Sequence, residues 1–410
     1  MANTINTIKD GPGLFAKGIA QTLKDNLKLF AFVDKADESD FDGKNGFKSG
    51  DTINTSIPPR YVPQQDSLDI TSSIQDTVEE KKDLVLNKTE TIGMKLDSLE
   101  LATDVDVAQA LRRFGMPAAE SIAQNMEARC FEIAHNATYN FSGTAGSNGF
   151  TVADVLDARK LLNKNLCPMK DRMLFMNSDS GAEAVDARKG LFQSSEQIKK
   201  QYEDGYVGLA DGFNWVESEL IGLHTNGSQG GTPLVNGATS EAASSIAIDG
   251  VTSGNTYTKG TVFTLAGVFR VHPITKTVTP DLQQFVVTAD ATFAGGSATV
   301  SISPSIYAGS NGLQNVSALP ADNAAVTLKT GAASTGYSQN LAMHKSAFKC
   351  VTAPLYAPRG VDLVATETVD GITVNIVRDF DVKTREVITR VDVLYAFDEI
   401  RPEWSTRLTS

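Results

Sequence analysis

Four histidines, His135, His224, His272 and His344, stand far apart in a chain of 410 residues, and none is paired at the spacing with which a helix presents two imidazoles to a metal. Each is read as structural. The three cysteines, Cys130, Cys167 and Cys350, are odd in number and widely separated, which gives neither a disulfide framework nor a CxxC redox or metal pair and fits a reducing compartment. Glu38, Asp40 and Asp42, followed by Gly43, imitate the first half of a calcium loop, whose alternating carboxylates converge on a hard cation. Ser49 stands where the closing bidentate Glu is required, so a solvated acidic connector is expected instead. Asp379 and Asp381 form a carboxylate pair of the kind used in acid–base chemistry, but Arg378 and Lys383 flank them. That grouping reads as a charged turn, either solvated or meeting a neighbouring subunit. There is no GxxxxGK(S/T) loop and no GxSxG elbow, and the glycine-rich GTAGSNG run follows a helix rather than a strand, which makes it a helix stop and not a phosphate cradle. No catalytic residue, no metal and no cofactor is expected.

The sequence carries 37 Lys and Arg against 49 Asp and Glu, a formal charge of -12, which argues against a surface that grips nucleic acid through its phosphates. Most of this charge is local. Residues 34–106 hold 17 acidic and 8 basic side chains, net -9, whereas residues 229–349 hold 5 and 6, net +1, among Ala, Gly, Ser, Thr and Val. Nothing approaches the roughly 18 consecutive apolar residues of a membrane-spanning helix, and the opening MANTINTIKDGPGLF shows no basic segment before an apolar core, so no leader is expected. With 41% apolar residues, the chain is long enough to bury two or three cores.

Leu14, Ile19, Leu23, Leu27 and Phe30 recur at helical spacing and predict one amphipathic helix over LFAKGIAQTLKDNLKLFAFV. Ile53 and Ile57 predict a strand ended by Pro58 and Pro59, and Leu84, Leu86, Thr89 and Ile92 predict a second extended run. Together they suggest an acidic two-stranded flap that is marginal alone and needs another surface, a neighbouring subunit being the natural one. On it Glu79 and Glu80 precede Lys81 and Lys82, so the flap carries both signs and is either a solvated tip or a partner for reciprocal pairing between subunits. The strongest helix follows Pro117, with Ala119, Ile122, Met126, Cys130, Ile133 and Ala137 on one stripe. Residues 151–225 read as α/β: helices over TVADVLDARKLLNKN, SGAEAVDARKGLF and SSEQIKKQYEDG, and extended runs at DRMLFMN and NWVESELI. Short β-rich runs, SSIAID, VFTLAGVFRV, QFVVTADATF and SATVSIS, then indicate an inserted all-β module. SQNLAMHKSAFKCVTAPL is read as helix then strand. Ile372, Val374 and Ile376, followed by Val387, Val391, Val393 and Tyr395, predict a closing hairpin.

That hairpin, its turn DFDVKTRE and the ending VDVLYAFDEIRPE, with Arg401, Pro402 and Glu403, resemble the C-terminus of the coat proteins of P22-like tailed phages. The order of segments is similar across nearly the whole chain, and residues 246–307 resemble the inserted domain of that family. The resemblance implies an α+β fold of the HK97-like major capsid protein type. It comprises an N-terminal arm and acidic connector (1–45), an E-loop-like flap (46–102), the spine helix of a P-domain (103–142), and the first part of an A-domain (143–229). The inserted all-β domain (230–340), the A-domain return (341–371) and the P-domain hairpin and C-terminus (372–410) complete it. It also implies a homo-oligomer of pentamers and hexamers in a shell enclosing DNA, a scaffolding protein, a portal protein at one vertex, synthesis in the host cytoplasm, no sequence-specific nucleic-acid binding and no membrane contact. The rival reading, a phage tail or cell-surface adhesin, would make residues 230–340 an immunoglobulin-like binding module. A hydrolase with an all-β accessory domain is a third possibility. Under the shell reading the subunit-interaction residues are Glu79, Glu80, Lys81, Lys82, Arg378, Asp379, Asp381 and Lys383.

Overall fold

The computed structural model describes residues 11–35, 50–57, 71, 74, 80–97, 115–146, 150–188, 208–309, 313–356, 360–361, 363–383 and 386–409. They divide into two compact units, one of residues 1–57, 81–130 and 349–398, the other of residues 58–80, 131–348 and 399–410. The fold is α+β with strands predominating.

In the first unit, Ala16, Ile19, Ala20, Leu23 and Leu27 are buried, an i, i+3, i+4, i+7 stripe that accounts for the helix Gly11–Asn26. The single helix expected over residues 14–33 is in fact two, because the chain restarts at a short helix Leu29–Phe32. The cause is Glu127 on the spine helix Met116–Ala137. Its carboxylate accepts from the backbone N–H of Lys28 (2.6 Å) and of Leu29 (3.4 Å), supplying from 98 residues away the acceptor that a helix start normally finds next to itself. Glu127 is 1% exposed, and burial pushes its carboxyl pKa up while the two N–H donors pull it down.

The sheet of this unit is organised by the long strand Glu386–Glu399. Ile372–Asp381 pairs with it as the expected hairpin, with Ile376 opposite Val391 and Asp381 opposite Glu386, and Leu363–Val369 extends the sheet beyond. Residues 372–376 are all buried, so this strand is covered on both faces. The second extended run expected in the flap is divided at Leu86–Asn87. Glu80–Val85 pairs with Thr52–Ile57 as a two-stranded sheet, while Lys88–Asp97 leaves the flap and adds to Glu386–Glu399, Lys88 opposite Tyr395 and Asp97 opposite Glu386.

The second unit contains a seven-stranded mixed sheet in the order Phe141–Gly143, Ser405–Thr409, Gly336–His344, Arg172–Met176, Phe213–Glu217, Leu209–Ala210, with Leu223–Thr225 also on Gly336–His344. Helix Val152–Lys164 opens with a capping box, Thr151 and Asp154 each bonding the other's backbone N–H, and packs Val155, Ala158 and Leu162 against Leu174, Met176, Phe213 and Trp215. Helix Ser178–Arg188 follows; the helix read at SSEQIKKQYEDG lies outside the described residues. One expectation is corrected here. The stretch SQNLAMH is a strand, not a helix, because Gln339 to His344 are all buried in mid-sheet, bonded to Ser405–Thr409 on one side and Arg172–Met176 on the other. A strand buried on both faces loses the alternation by which it is recognised.

The inserted strands form a six-stranded antiparallel sheet in the order Gly231–Val235, Ala243–Val251, Ala298–Ile306, Val278–Val287, Val262–Val271, Val326–Leu328. A bridge between Leu234 and Ala325, with Val235 N donating to Ala324 O at 2.9 Å, joins first strand to last. The module is therefore a closed barrel and not the two-sheet sandwich that an immunoglobulin-like reading required. Its core holds Tyr257, Phe263, Leu265, Phe285, Phe293, Val300 and Ile302.

Candidate functional site

The eight residues proposed for subunit contact fall into two groups. At the flap, Gly50 N donates to Leu86 O (2.7 Å) and Leu86 N to Asp51 O (2.9 Å), closing its root over buried Ile53, Thr55 and Leu84. Lys82 reaches Asp398 at 3.8 Å. Glu79 and the side chains of Glu80 and Lys81 lie outside the described residues.

At the other group, the hairpin tip, Asp379 Oδ1 accepts from Phe380 N (2.9 Å) and Asp381 Oδ1 from Lys383 N (2.8 Å), so both carboxylates shape the turn. Strand alternation places Asp379 and Asp381 on one face with Glu386 and Ile388, and Arg378 on the other with Phe380 and Val382. Lys95 Nζ joins the first face through Glu386 Oε1 at 2.5 Å. Apolar side chains project from both faces: Phe380 (44% exposed) and Val382 (79%) from one, Ile388 (43%) from the other. Asp398 is twelve residues along the strand from Glu386, so the two groups are about 40 Å apart at ~3.3 Å per residue. The structure thus brings Arg378, Asp379, Asp381 and Lys383 together, and holds Lys82 well away from them.

What fixes these appendages to their unit was not visible in the sequence. Glu90, 7% exposed in the strand that leaves the flap, accepts from Asn125 Nδ2 (2.5 Å) and Arg129 Nη1 (3.1 Å) of the spine helix and from Tyr395 Oη (3.1 Å) of the long strand. One carboxylate thereby ties three elements together. Asp392 is a smaller version, taking the Thr91 hydroxyl (2.7 Å) and Arg390 Nε (2.8 Å). A Glu between threonines in a polar strand carries no periodic signal that would single it out.

The histidines divide differently. His272 Nδ1 accepts from Thr275 N (3.1 Å) and His344 Nδ1 from Ser346 N (3.1 Å), both as turn caps. His135 and His224 instead come close to the fully buried Arg407. Burial first, then the Arg407 charge, lowers His135 to about 3 and His224 to about 4 from the ordinary 6.5. The unfolded chain therefore takes up protons on both rings below about pH 6.5, where the folded chain does not. Stability is full above that pH and falls by up to ~1.4 kcal/mol per pH unit per histidine on the way down to pH 4. Urea unfolding at pH 7 and pH 5 measures this; an unchanged midpoint would contradict two neutral buried rings.

A cleft of about 340 Å³ opens between helix Val152–Lys164 and the barrel, with Lys164 paired to Asp281 and Arg270 to Asn165 Oδ1. Its lining includes Ser142 but no histidine, and the Ser142 hydroxyl donates to Asp154 O at 2.9 Å, so no base-activated nucleophile is assembled there. Among the described residues no group of three or more His, Cys, Asp or Glu is placed to hold a metal, and no helix is long and apolar enough to cross a membrane. The acidic run Glu38, Asp40 and Asp42 lies outside them.

A family model described as "P22 coat protein - gene protein 5" matches residues 14–408. No curated protein matches the chain. Among solved structures, one from Mycobacterium phage Che8 is 12% identical with a TM-score of 0.46, over 93% of this chain and 90% of that one. The capsid of Ralstonia phage GP4 is 7% identical with a TM-score of 0.46, over 93% and 88%. The CUS-3 coat protein I-domain is 28% identical with a TM-score of 0.18, over 26% of this chain and 98% of that domain.

Proposed function

The chain belongs to the P22 coat protein family and is a major capsid protein that forms the shell of a tailed phage, and from that premise we propose that it tiles through its two extended appendages, the flap and the hairpin tip. The family match over residues 14–408 carries the reading. In a virion shell each copy contributes to rings of five and six, with the flap and the tip of residues 378–383 laid against adjacent copies. Synthesis takes place in the host cytoplasm, a scaffolding protein directs assembly, and a portal protein occupies one vertex. Arm, E-loop, P-domain, A-domain and inserted domain are taken in that order, with Lys88–Asp97 and Leu363–Val369 joined to the hairpin's sheet and Ser405–Thr409 to the seven-stranded sheet.

One feature supports the tip as a contact. Phe380 and Val382 expose apolar surface on one face, and on the other Ile388 is exposed among Asp379, Asp381, Glu386 and Lys95, so the tip offers apolar groups and charges of both signs together. Each such contact is weak alone, and its repetition around a closed ring multiplies it, which permits error correction during growth. Charge reversal at the tip tests the assignment. The double variant Arg378→Glu, Lys383→Glu is expected to keep the wild-type unfolding midpoint while shell yield on co-expression with scaffolding protein drops at least about tenfold, a loss of ~1.4 kcal/mol per subunit in assembly. Shells at wild-type yield would remove the tip from the interface.

A further inference from the structure

Five Asn–Gly steps occur in the sequence, and two of them, Asn226–Gly227 and Asn236–Gly237, lie among the described residues. Asparagine before glycine is the step at which a chain most readily attacks itself, because the glycine nitrogen, with no Cβ beside it, can reach the carboxamide carbon of the preceding side chain. The structure gives the two steps opposite surroundings. Asn226 is 3% exposed, and its Nδ2 donates to Thr330 O (2.8 Å) and Ala332 O (2.9 Å), so its carboxamide is held. Gly227 is pressed against the backbone of Thr256, where an added Cβ would lie 2.1 Å from the carbonyl oxygen.

Asn236 stands just past the strand Gly231–Val235, exposed, with no described residue bonding its side chain. It lines an open cleft of about 620 Å³ with Asp249, Ser297 and Asn323, so water reaches it. Gly237 has a φ of +79° and open space where a Cβ would stand. Its N–H donates to Asp322 Oδ1 at 2.7 Å, while Asp322 Oδ2 accepts from Asn323 Nδ2 at 2.9 Å. A carboxylate thus sits on the one proton that must leave before the Gly237 nitrogen can attack, within the reach required of a general base.

We propose that Asn236 is a self-modification site at which Asp322 promotes deamidation. Asp322 takes the Gly237 proton, the nitrogen forms a bond to Asn236 Cγ, and the bond from Cγ to Nδ2 breaks. Nδ2 leaves as ammonia with the proton that Asp322 returns. The succinimide ring then adds one water at either carbonyl, giving aspartate or isoaspartate at position 236. The site is the seam of the barrel: Val235 N donates to Ala324 O, Asn323 N to Val235 O and Asn236 N to Ala247 O, each at 2.9 Å, beside the Leu234–Ala325 bridge. Isoaspartate lengthens the backbone there by one methylene, and either product adds a negative charge one residue from the nitrogen that Asp322 holds. Modification therefore loosens the closure of the barrel.

The test holds the full-length chain for days near neutral pH in heavy-oxygen water and maps it by fragment-ion mass spectrometry. Asn236 is expected to exchange its amide nitrogen for a labelled oxygen, whereas Asn226, the same dipeptide in the same chain, stays unchanged. Asp322→Asn keeps an acceptor for the Gly237 N–H but removes the base, and should slow the loss of Asn236 roughly tenfold, a part of what a positioned base supplies in an enzyme. In the modified chain, the amides of Val235 and Asn323 should exchange with solvent faster than before. An Asn236 that stays intact, equal modification of Asn226, an unchanged or faster rate in Asp322→Asn, or seam amides that exchange no faster after modification would each overturn the proposal.

Discussion

Replacing Glu90 by alanine lowers the stability of the first unit by about 2–4 kcal/mol, a large part of what a domain possesses. The carboxylate accepts three hydrogen bonds, and two of its donors are left badly placed. The Tyr395 hydroxyl, 3.1 Å from it, belongs to a fully buried side chain whose phenol burial already pushes upward, and Asn125 loses its acceptor at 2.5 Å. Arg129 suffers less, because its side chain is 44% exposed and water can replace the carboxylate. Glu90→Gln keeps the shape and one acceptor and should cost roughly half as much, while Tyr395→Phe removes a single bond at about 1 kcal/mol. Urea unfolding of the monomeric subunit ranks the three. If Glu90→Ala is no worse than Tyr395→Phe, the carboxylate is not the tie between spine helix, flap strand and hairpin.

Phe285→Ala empties the centre of the barrel and is expected to cost about 3–5 kcal/mol. Phe285 and Phe263 are cross-strand partners, both 0% exposed, with ring centroids 6.0 Å apart, in a core that also holds Leu265, Val300 and Ile302. Closed by the Leu234–Ala325 bridge, the barrel has little freedom to collapse into the void, so the cavity term persists. Phe269→Ala, on the partner strand that carries Phe263 but 37% exposed, should cost about 1 kcal/mol or less. Hydrogen exchange of barrel amides separates the two: fast exchange in Phe285→Ala and near-native protection in Phe269→Ala are expected. Equal protection would mean that the barrel core is held elsewhere.

What could be read from the residues follows from how far apart the deciding interactions lie. VFTLAGVFRV coincides with the strand Val262–Val271 because its β-branched and aromatic residues are a local signal that outlasts the register shifts in its pairing, and the stripe from Ala119 to Ala137 gives the spine helix because apolar spacing is equally local. The restart of the arm at Leu29 depends on Glu127, and no local pattern announces a cap contributed 98 residues away. The same holds for SQNLAMH, where neighbours on both sides hide the alternation. Arg407 is the extreme case: in STRLT an arginine promises an exposed edge, yet all five residues are buried. The turn formed by residues 378–383 is legible because charge and turn chemistry are both local. Glu90 was missed because its role exists only once Asn125, Arg129 and Tyr395 have been brought to it.

Cryo-electron microscopy of the chain co-expressed with a scaffolding protein tests the central claim most directly. Closed shells are expected, with subunits in fivefold and sixfold rings and with the flap and residues 378–383 of each copy lying on its neighbours. Particles that remain discrete monomers or trimers under every assembly condition, with both appendages folded onto their own subunit, would contradict it.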